Sequence, residues 1–457
     1  MKTFGPLVLL TILSVQAADL PEKHILFDGD VVHEMHVRFK QPDWYQQLLA
    51  NFNENTDDVP LIEASFEWGQ FKFDSVGVRI KGNSTARVNS VKKPFRIKFN
   101  EYVKGQKIDG IGSINLNNIN GDASMVREKA YFELARQAGL VAPRMNWAAL
   151  YINGEYWGLY FLGEVINDDF LKMNFPKEAR DGWLYKGNIG STFEYWGDDA
   201  ARYAVTFEKK SFEDENDWSD LIRLTSVLAQ NPDEDLEAKI GEVLDIDSFL
   251  KAMALDNLTV NLDSYVTMTQ NFYVFRRPTD GKFQWLVWDP SLAFGAFSGG
   301  LTTAQMKTLP LEYVAAGIGG GFPGGGPGGP GGPPPMQAAL IRPLATRLWA
   351  VPSIKARYRE IYAKMVQEVF LVDNLIARMN TMRTLIRPWA DLDNNKLTSL
   401  AAFDAAMTQD AAANPPGMGG MPPMGGGAGG GMGGGPGIEP LVRERKAFVL
   451  KELKIQQ

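Results

Sequence analysis

The first third of the chain alternates between apolar and polar residues with the two-residue period of β-strands. The run VHEMHVRF at 32–39 follows this pattern, and SFEWGQFKFDSVGVRI at 65–80 predicts two strands around a glycine turn. In the run FRIKF at 95–99, the three apolar residues fall on one face, and Arg96 and Lys98 fall on the other. These runs predict strands that each bury one face.

Helical spacing of apolar residues becomes more frequent further along the chain. The segment at 122–138 has this spacing and ends before Gly139, a typical stop signal. Further helices are predicted within 218–254, 337–397 and 439–454. Strands that come early and helices that come late predict an α+β fold of two lobes, with a strand-rich N-terminal lobe and a helical C-terminal lobe.

Two low-complexity blocks interrupt the later part. Residues 317–335 are mainly glycine and proline, and residues 414–437 add methionine to the same composition. Such segments cannot build a packed core, so both are predicted to be flexible insertions within the loops of a helical lobe. The predicted organisation is a folded core at 25–312, an insertion at 313–336, helices at 337–410, a second insertion at 411–438 and a final helix at 439–457.

The N-terminus has the features of a secretory signal peptide. Lys2 precedes a short apolar run, and small residues at 17 and 18 predict cleavage after Ala17. An N-terminal membrane anchor is the alternative, although the run is short for a span. No later segment is apolar for long enough to cross a bilayer, so we expect a mature chain without a span that is secreted, periplasmic or at the cell surface.

Composition excludes several kinds of chemistry. The chain of 457 residues has no cysteine, which excludes disulfides, thiolate metal sites and cysteine nucleophiles. Its net charge is −7, which argues against a general nucleic-acid-binding protein. All three histidines lie within the first 36 residues, remote in sequence from the acids considered next, so a metal-dependent hydrolase is disfavoured.

Two acids and an amide lie around a predicted hairpin. Asp263 follows an apolar helical run, Asn271 opens the first hairpin strand, and Asp289 ends the second strand. A lone aspartate that leaves a strand often only caps a turn. Two carboxylates and an amide at one hairpin can instead hold a divalent cation and position a hydroxyl nucleophile. The sequence therefore predicts phosphoryl transfer as a candidate chemistry.

A second group of residues could face phosphates. The loop GNST includes Gly82 and Ser84, and its backbone amides could bind an anion, although a plain polar turn is the favoured explanation when the loop is taken alone. Lys98 lies on a predicted strand ahead of the helix that carries Glu128, and a strand lysine paired with a helix glutamate orients phosphates in kinases. The alternative is that Arg96 and Lys98 form a solvent-facing cationic stripe.

Six collinear blocks resemble one family. They are VGVRIKGNSTA, KKPFRIKF, INLNNINGDASMVREKAYFELARQAG, LYINGEYWGLYFLGEVIN, NLDSYVTMTQNFYVFRR and FQWLVWDPSLAFG. Together they resemble the CotH kinase family over about residues 31–295. The resemblance implies an atypical, secreted protein-kinase-like fold that uses ATP and Mg²⁺ or Mn²⁺ to phosphorylate serine or threonine on extracellular proteins.

The resemblance also assigns roles to positions of this chain. Asp263 corresponds to the catalytic aspartate that receives the hydroxyl proton, and Asp289 and Asn271 correspond to metal ligands. Lys98, with Lys93 as a competitor, is the expected phosphate lysine. Its acidic partner is either Glu128 or Glu164, and Gly82 and Ser84 are expected near the nucleotide.

One departure leaves the activity open. Where the family often has a second acid two residues after the metal aspartate, this chain has Ser291. A kinase-fold scaffold or adhesin that binds a protein partner is therefore the alternative to an active kinase acting on a protein substrate.

Overall fold

The computed structural model describes residues 24–54, 59–315, 341–410 and 435–456. The predicted signal peptide and most of the two predicted insertions lie outside these residues. The domain boundaries proposed from sequence stay predictions.

Eleven strands form two sheets within the described ranges. They are β1 (Val32–Phe39), β2 (Ile62–Trp68), β3 (Phe71–Ile80), β4 (Phe95–Lys98), β5 (Ser113–Asn117), β6 (Met145–Ile152), β7 (Glu155–Gly163), β8 (Trp183–Gly187), β9 (Phe207–Lys209), β10 (Phe272–Arg276) and β11 (Phe283–Val287). The first seven close into a barrel in the order β1-β2-β3-β4-β5-β7-β6, and the rest form a sheet in the order β11-β10-β8-β9.

The barrel interior is built by the alternation seen in the sequence. In β4, Phe95 and Ile97 are buried in the barrel core, as expected. The barrel closes through the one parallel pairing recorded in it, between β1 and β6, in which Met35 lies opposite Leu150. Asn153 connects β6 to β7 with a φ of 52°, as a tight hairpin turn requires.

Helices pack against both the second sheet and the barrel. They are α1 (Trp44–Glu54), α2 (Arg127–Gln137), α3 (Asp168–Asn174), α4 (Ala200–Ala204), α5 (Ser219–Gln230), α6 (Asp233–Ile240), α7 (Ile246–Leu258), α8 (Tyr265–Met268), α9 (Thr303–Lys307), α10 (Pro343–Ala350), α11 (Pro352–Lys364), α12 (Val372–Leu392), α13 (Leu400–Ala405) and α14 (Ile438–Glu452), with a π-helical turn at Met365–Val369 and a 3₁₀ turn at Lys177–Ala179. The predicted α+β class is confirmed. The hairpin predicted after the helical region is formed by β10 and β11, and β10 also pairs with β8.

The helix predicted at 122–138 starts five residues later, at Arg127. The carboxylate of Asp122 accepts the main-chain N–H of Arg127 at 2.8 Å and its guanidinium at 2.6 Å, and it also binds Ser124. These bonds hold 122–126 as a turn that caps the helix from outside.

No helix in the described part of the chain is both long enough and apolar enough to span a bilayer.

Candidate functional site

A lysine, an amide and a glutamate form a chain of contacts on the outer face of the barrel. Lys81 directly follows β3, and its Nζ donates to Oδ1 of Asn117 at 2.6 Å. Asn117 ends β5, and its Nδ2 donates to both carboxylate oxygens of Glu128, at 3.0 and 3.2 Å. Val78 and Ile80 point into the barrel, so the two-residue period of β3 sends Lys81 outward.

Glu128 lies in the first turn of α2 and is only 4% exposed. Burial raises the pKa of its carboxyl, and the negative charge of Asp289 raises it further. Burial lowers the pKa of Lys81, and the charges of Asp289 and Glu128 oppose that shift. These mutual effects place Asp289 beside the Lys81–Asn117–Glu128 chain, which we call the lysine relay.

Asp289 follows β11 in a left-handed conformation, with a φ of 49°. Such a conformation is uncommon for a residue other than glycine and is often found at functional sites. The hydroxyl of Ser291 donates to Oδ1 of Asp289 at 2.9 Å. Beyond it, the main-chain N–H of Phe294 donates to the carbonyl of Thr259 at 2.6 Å, which ties this segment to the end of α7.

Asp263 lies in the loop between α7 and α8. Gln270 donates to its Oδ1 at 2.5 Å, and Nδ2 of Asn271 donates to its main-chain carbonyl at 2.7 Å. Burial and then the nearby charge of Asp289 raise the pKa of Asp263 to about 6, against the effect of the hydrogen bonds. The structure therefore brings together three of the predicted residues, Asp263, Asn271 and Asp289.

The donor set suits a hard divalent cation only in part. Asp263 and Asp289 repel one another electrostatically, and a cation between them would relieve that repulsion. Within the described ranges, no three acidic or histidine side chains converge as a metal site. The protein can thus offer carboxylate and amide oxygens while water and phosphate oxygens complete the shell, which is the usual way Mg²⁺ is bound.

The predicted pair of Lys98 and Glu128 is not formed. Lys98 lies opposite Gly77 in the β3–β4 register, several residues from the end of β3 where Lys81 emerges. Its side chain is 45% exposed, and its Nζ lies 2.6 Å from Glu101. The lysine linked to Glu128, through Asn117, is therefore Lys81, which directly follows β3. The sequence signal for it is the outward-facing period of VRIK, directly before the GNST loop.

The alternative residues have other contacts. Lys93 donates to the carbonyl of Val88 at 2.6 Å, and Glu164 pairs with Arg144 at 2.7 Å. Gly82 and Ser84 lie in the exposed turn that follows Lys81. Gly82 has a φ of +84°, and a Cβ there would come within 2.7 Å of the Thr85 hydroxyl, so this turn requires glycine.

Further cations surround the lysine relay. Arg79 lies directly opposite Arg96 in the register of β3 and β4. Burial lowers the pKa of Arg96, and the positive charge of Arg79 adds to that effect. Lys186 on β8 adds to the lowering of the Lys81 pKa, so the two sheets present positive charge to the same space. Such a cluster favours a polyanionic ligand.

Comparison with known proteins places these residues in a known family. The CotH kinase protein family matches residues 78–413. Inner spore coat protein H of Bacillus subtilis is 21% identical over 68% of this chain and 77% of its own length. Invasin CotH7 of Rhizopus delemar is 27% identical over 42% of this chain, and the match spans about a third (32%) of that invasin.

A solved complex of HipA, HipB and operator DNA from Shewanella oneidensis covers 82% of this chain and 73% of that chain at 11% identity. Its TM-score is 0.22, too low to support an argument about the fold. The family match, in contrast, spans most of the chain and contains the lysine relay, Asp263 and Asp289. The chain belongs to the CotH kinase protein family.

Proposed function

We propose that this protein transfers the γ-phosphoryl group of ATP to a serine or threonine hydroxyl of a protein, with Mg²⁺ or Mn²⁺ as cofactor. The observation that carries the proposal is the lysine relay, whose Lys81 and Glu128 both interact electrostatically with Asp289. A lysine, a glutamate and a metal-binding aspartate around one space are the parts that kinases use to hold a nucleotide. The same parts favour a two-lobed kinase-like plan in which the barrel is the N-terminal lobe.

Each residue has a distinct part in the proposed reaction. Lys81 binds the phosphates, and Glu128 keeps Lys81 in place through Asn117. Asp289 and Asn271 provide oxygen ligands for the cation. The metal ion, when bound, neutralises charge on the phosphate oxygens and aligns them for transfer.

Asp263 acts as the base toward the acceptor hydroxyl. The hydroxyl oxygen forms a bond to the γ-phosphorus, the bond from that phosphorus to the β,γ-bridging oxygen breaks, and ADP leaves. The hydroxyl proton passes to the carboxylate of Asp263. A raised pKa, here about 6, suits this role, because a base works best when its pKa is near the working pH.

The test is phosphoryl transfer in the full chain. Radiolabelled γ-phosphate of ATP is followed into a generic serine and threonine substrate, and intact mass reports autophosphorylation. Asp263→Ala is expected to abolish transfer while ATP and metal still raise the melting temperature. Retained transfer in Asp263→Ala would rule out this residue as the base.

A binding role on the same fold is the second candidate. Ser291 stands where the family often has an acid, and its hydroxyl occupies one oxygen of Asp289. Relatives in Rhizopus delemar carry the name invasin. A scaffold or adhesin would bind a protein partner yet show no thermal shift with ATP and Mg²⁺ or Mn²⁺, an outcome that separates it from the kinase. Export by the predicted signal peptide, to the cell surface, the periplasm or the medium, is part of both proposals.

A further inference from the structure

A buried carboxyl outside the proposed reaction connects the two halves of the site. Asp256 lies in the last turn of α7 and is 6% exposed. The phenol of Tyr131 donates to its Oδ1 at 2.6 Å, and Nδ2 of Asn261 donates to the same oxygen at 2.8 Å. Tyr131 belongs to α2, and Asn261 belongs to the loop that carries Asp263.

Tyr131 and Asn261, the two partners of Asp256, each lie close in sequence to a residue of the site. Tyr131 comes about one helical turn after Glu128 on α2, so the two side chains lie on the same face of the helix. Asn261 is two residues before Asp263, and its carbonyl accepts the hydroxyl of Ser264 at 2.8 Å. Asp256 thus accepts hydrogen bonds from both the helix of Glu128 and the loop of Asp263.

The residues that directly follow α7 also bind the segment that follows Asp289. The carbonyls of Thr259 and Val260 accept the main-chain N–H groups of Phe294 and Gly295, at 2.6 and 3.3 Å. Asn257, the neighbour of Asp256, accepts the phenol of Tyr362 at 2.8 Å. The end of α7 is therefore anchored on several sides, which makes it a rigid base for the loop.

The side chain of Asn261 is buried with one polar atom unsatisfied. It is 3% exposed, and its buried Oδ1 finds no hydrogen-bond partner among the described residues. A buried, unsatisfied acceptor costs about 1–3 kcal/mol. Asn261 is nevertheless held in place by two bonds to Asp256, from its Nδ2 to Oδ1 at 2.8 Å and from its main-chain N–H to the carbonyl at 2.7 Å.

We propose that Asp256 is a positioning residue, which fixes the distance between Glu128 on α2 and Asp263 on its loop through the phenol of Tyr131 and the amide of Asn261. This role involves no contact with substrate or metal. The effect on the reaction rests on the proposed function, whereas the mechanical coupling between α2 and the loop does not.

Hydrogen exchange in the full chain tests that coupling without any activity. Tyr131→Phe removes one hydroxyl from α2 and is expected to speed amide exchange at 259–264, which lies on a different element. Tyr203→Phe is the matched control, because Tyr203 is equally buried and donates instead to the carbonyl of Gly197 at 3.0 Å. Unchanged exchange at 259–264 in Tyr131→Phe would overturn the inference.

Kinetics then separate positioning from binding. Displacing a catalytic group by about 1 Å can lower a rate about 100-fold, so Tyr131→Phe and Asn261→Ala are each expected to lower kcat about tenfold or more while KM for ATP stays constant. If both act through Asp256, the double variant loses less than the product of the two single effects. A raised KM with constant kcat, or fully multiplicative losses, would contradict the proposal. Absence of phosphoryl transfer in the wild type would instead refute the proposed function. The hydrogen-exchange experiment would still test the coupling between α2 and the loop.

Discussion

Lys81 and Asn117 are joined by a 2.6 Å hydrogen bond between the ends of β3 and β5, two strands that are not neighbours in the barrel. Asn117 passes the contact on to Glu128, so a lysine and a glutamate that do not bond directly act as one unit. This relationship makes Lys81, rather than Lys98, the lysine that is linked to Glu128.

The first prediction compares these two lysines. Lys81→Gln is expected to weaken ATP binding about tenfold or more, because a hydrogen bond to a charged group contributes about 1.5–3 kcal/mol. Lys98→Gln is the matched control and is expected to leave binding unchanged, since Lys98 pairs with Glu101 at the surface. Calorimetric titration of the full chain with ATP and Mg²⁺ measures both. A loss confined to Lys98→Gln would identify Lys98, and not Lys81, as the lysine that binds the phosphates.

The second prediction concerns the cation. Asp289→Asn is expected to remove the part of the ATP-induced rise in melting temperature that depends on Mg²⁺, because one of the two carboxylates is lost. Adding a chelator to the wild type should have the same effect. Asp280→Asn serves as the control, because Asp280 is exposed and pairs with Arg277 at 2.6 Å. If Asp289→Asn keeps its response to Mg²⁺, the metal is held elsewhere.

The third prediction concerns the buried ion pair of Lys92 and Asp393. The Nζ–Oδ2 distance is 2.5 Å and each side chain is 1% exposed. Lys92→Met leaves an uncompensated buried carboxylate, which is expected to lower the free energy of unfolding by about 3–5 kcal/mol. Lys92→Met combined with Asp393→Asn removes that charge and is expected to recover part of the loss.

Denaturation in urea measures these differences. Lys72→Met is the control, since Lys72 forms an exposed pair with Glu67 at 2.9 Å, and such pairs contribute at most about 1 kcal/mol. Equal stability of the Lys92→Met single variant and the wild type would show that the pair does not stabilise the fold.

The fourth prediction concerns the pH dependence of stability. Burial raises the pKa of Asp256 to about 7 from its ordinary value of 3.8. Between these two pH values the folded state holds a proton on Asp256 that the unfolded state has released. The contribution of Asp256 to the free energy of unfolding is therefore full below about pH 4 and is lost as the pH rises through 7. Burial and the neighbouring Asp256 raise the pKa of Tyr131, which therefore stays protonated in this range.

Asp256→Asn removes this titration. Between pH 5 and 6 the free energy of unfolding of the wild type is expected to fall relative to that of Asp256→Asn by about 1.4 kcal/mol per pH unit. Parallel curves for the two proteins, obtained from urea denaturation at each pH, would show that Asp256 does not titrate in the folded state over this range.

Local patterns of the sequence predicted the elements well. Phe95 and Ile97 are buried, as the alternation at 95–99 predicts, and the Asn153–Gly154 turn forms a hairpin. These features were predictable because strand period and turn conformation depend on neighbouring residues. The proximity of Asp263 and Asp289 also followed from one short hairpin. Their roles as base and metal ligand remain predictions.

Contacts between distant segments were not predictable in this way. The order of strand and helix along the chain favours Lys98, yet its Nζ pairs with Glu101, only three residues further along. The lysine linked to Glu128 is Lys81 at the end of β3, through Asn117 on β5, a strand that is not a neighbour of β3. The pairing of strands and its register depend on the whole barrel, and the sequence of a single strand does not specify its partners.

The sequence by itself therefore determined the strand and helix periods, the α+β class, the hairpin that lies between Asp263 and Asp289, and the resemblance to the family. Only the tertiary structure decided that β1 closes the barrel on β6, that Lys92 finds Asp393 some 301 residues away, and that Lys81 reaches Glu128 through Asn117. The physical reason is that periodicity is set by backbone geometry within a few residues. Partner choice is set by burial and charge pairing between segments that meet only when the chain has folded.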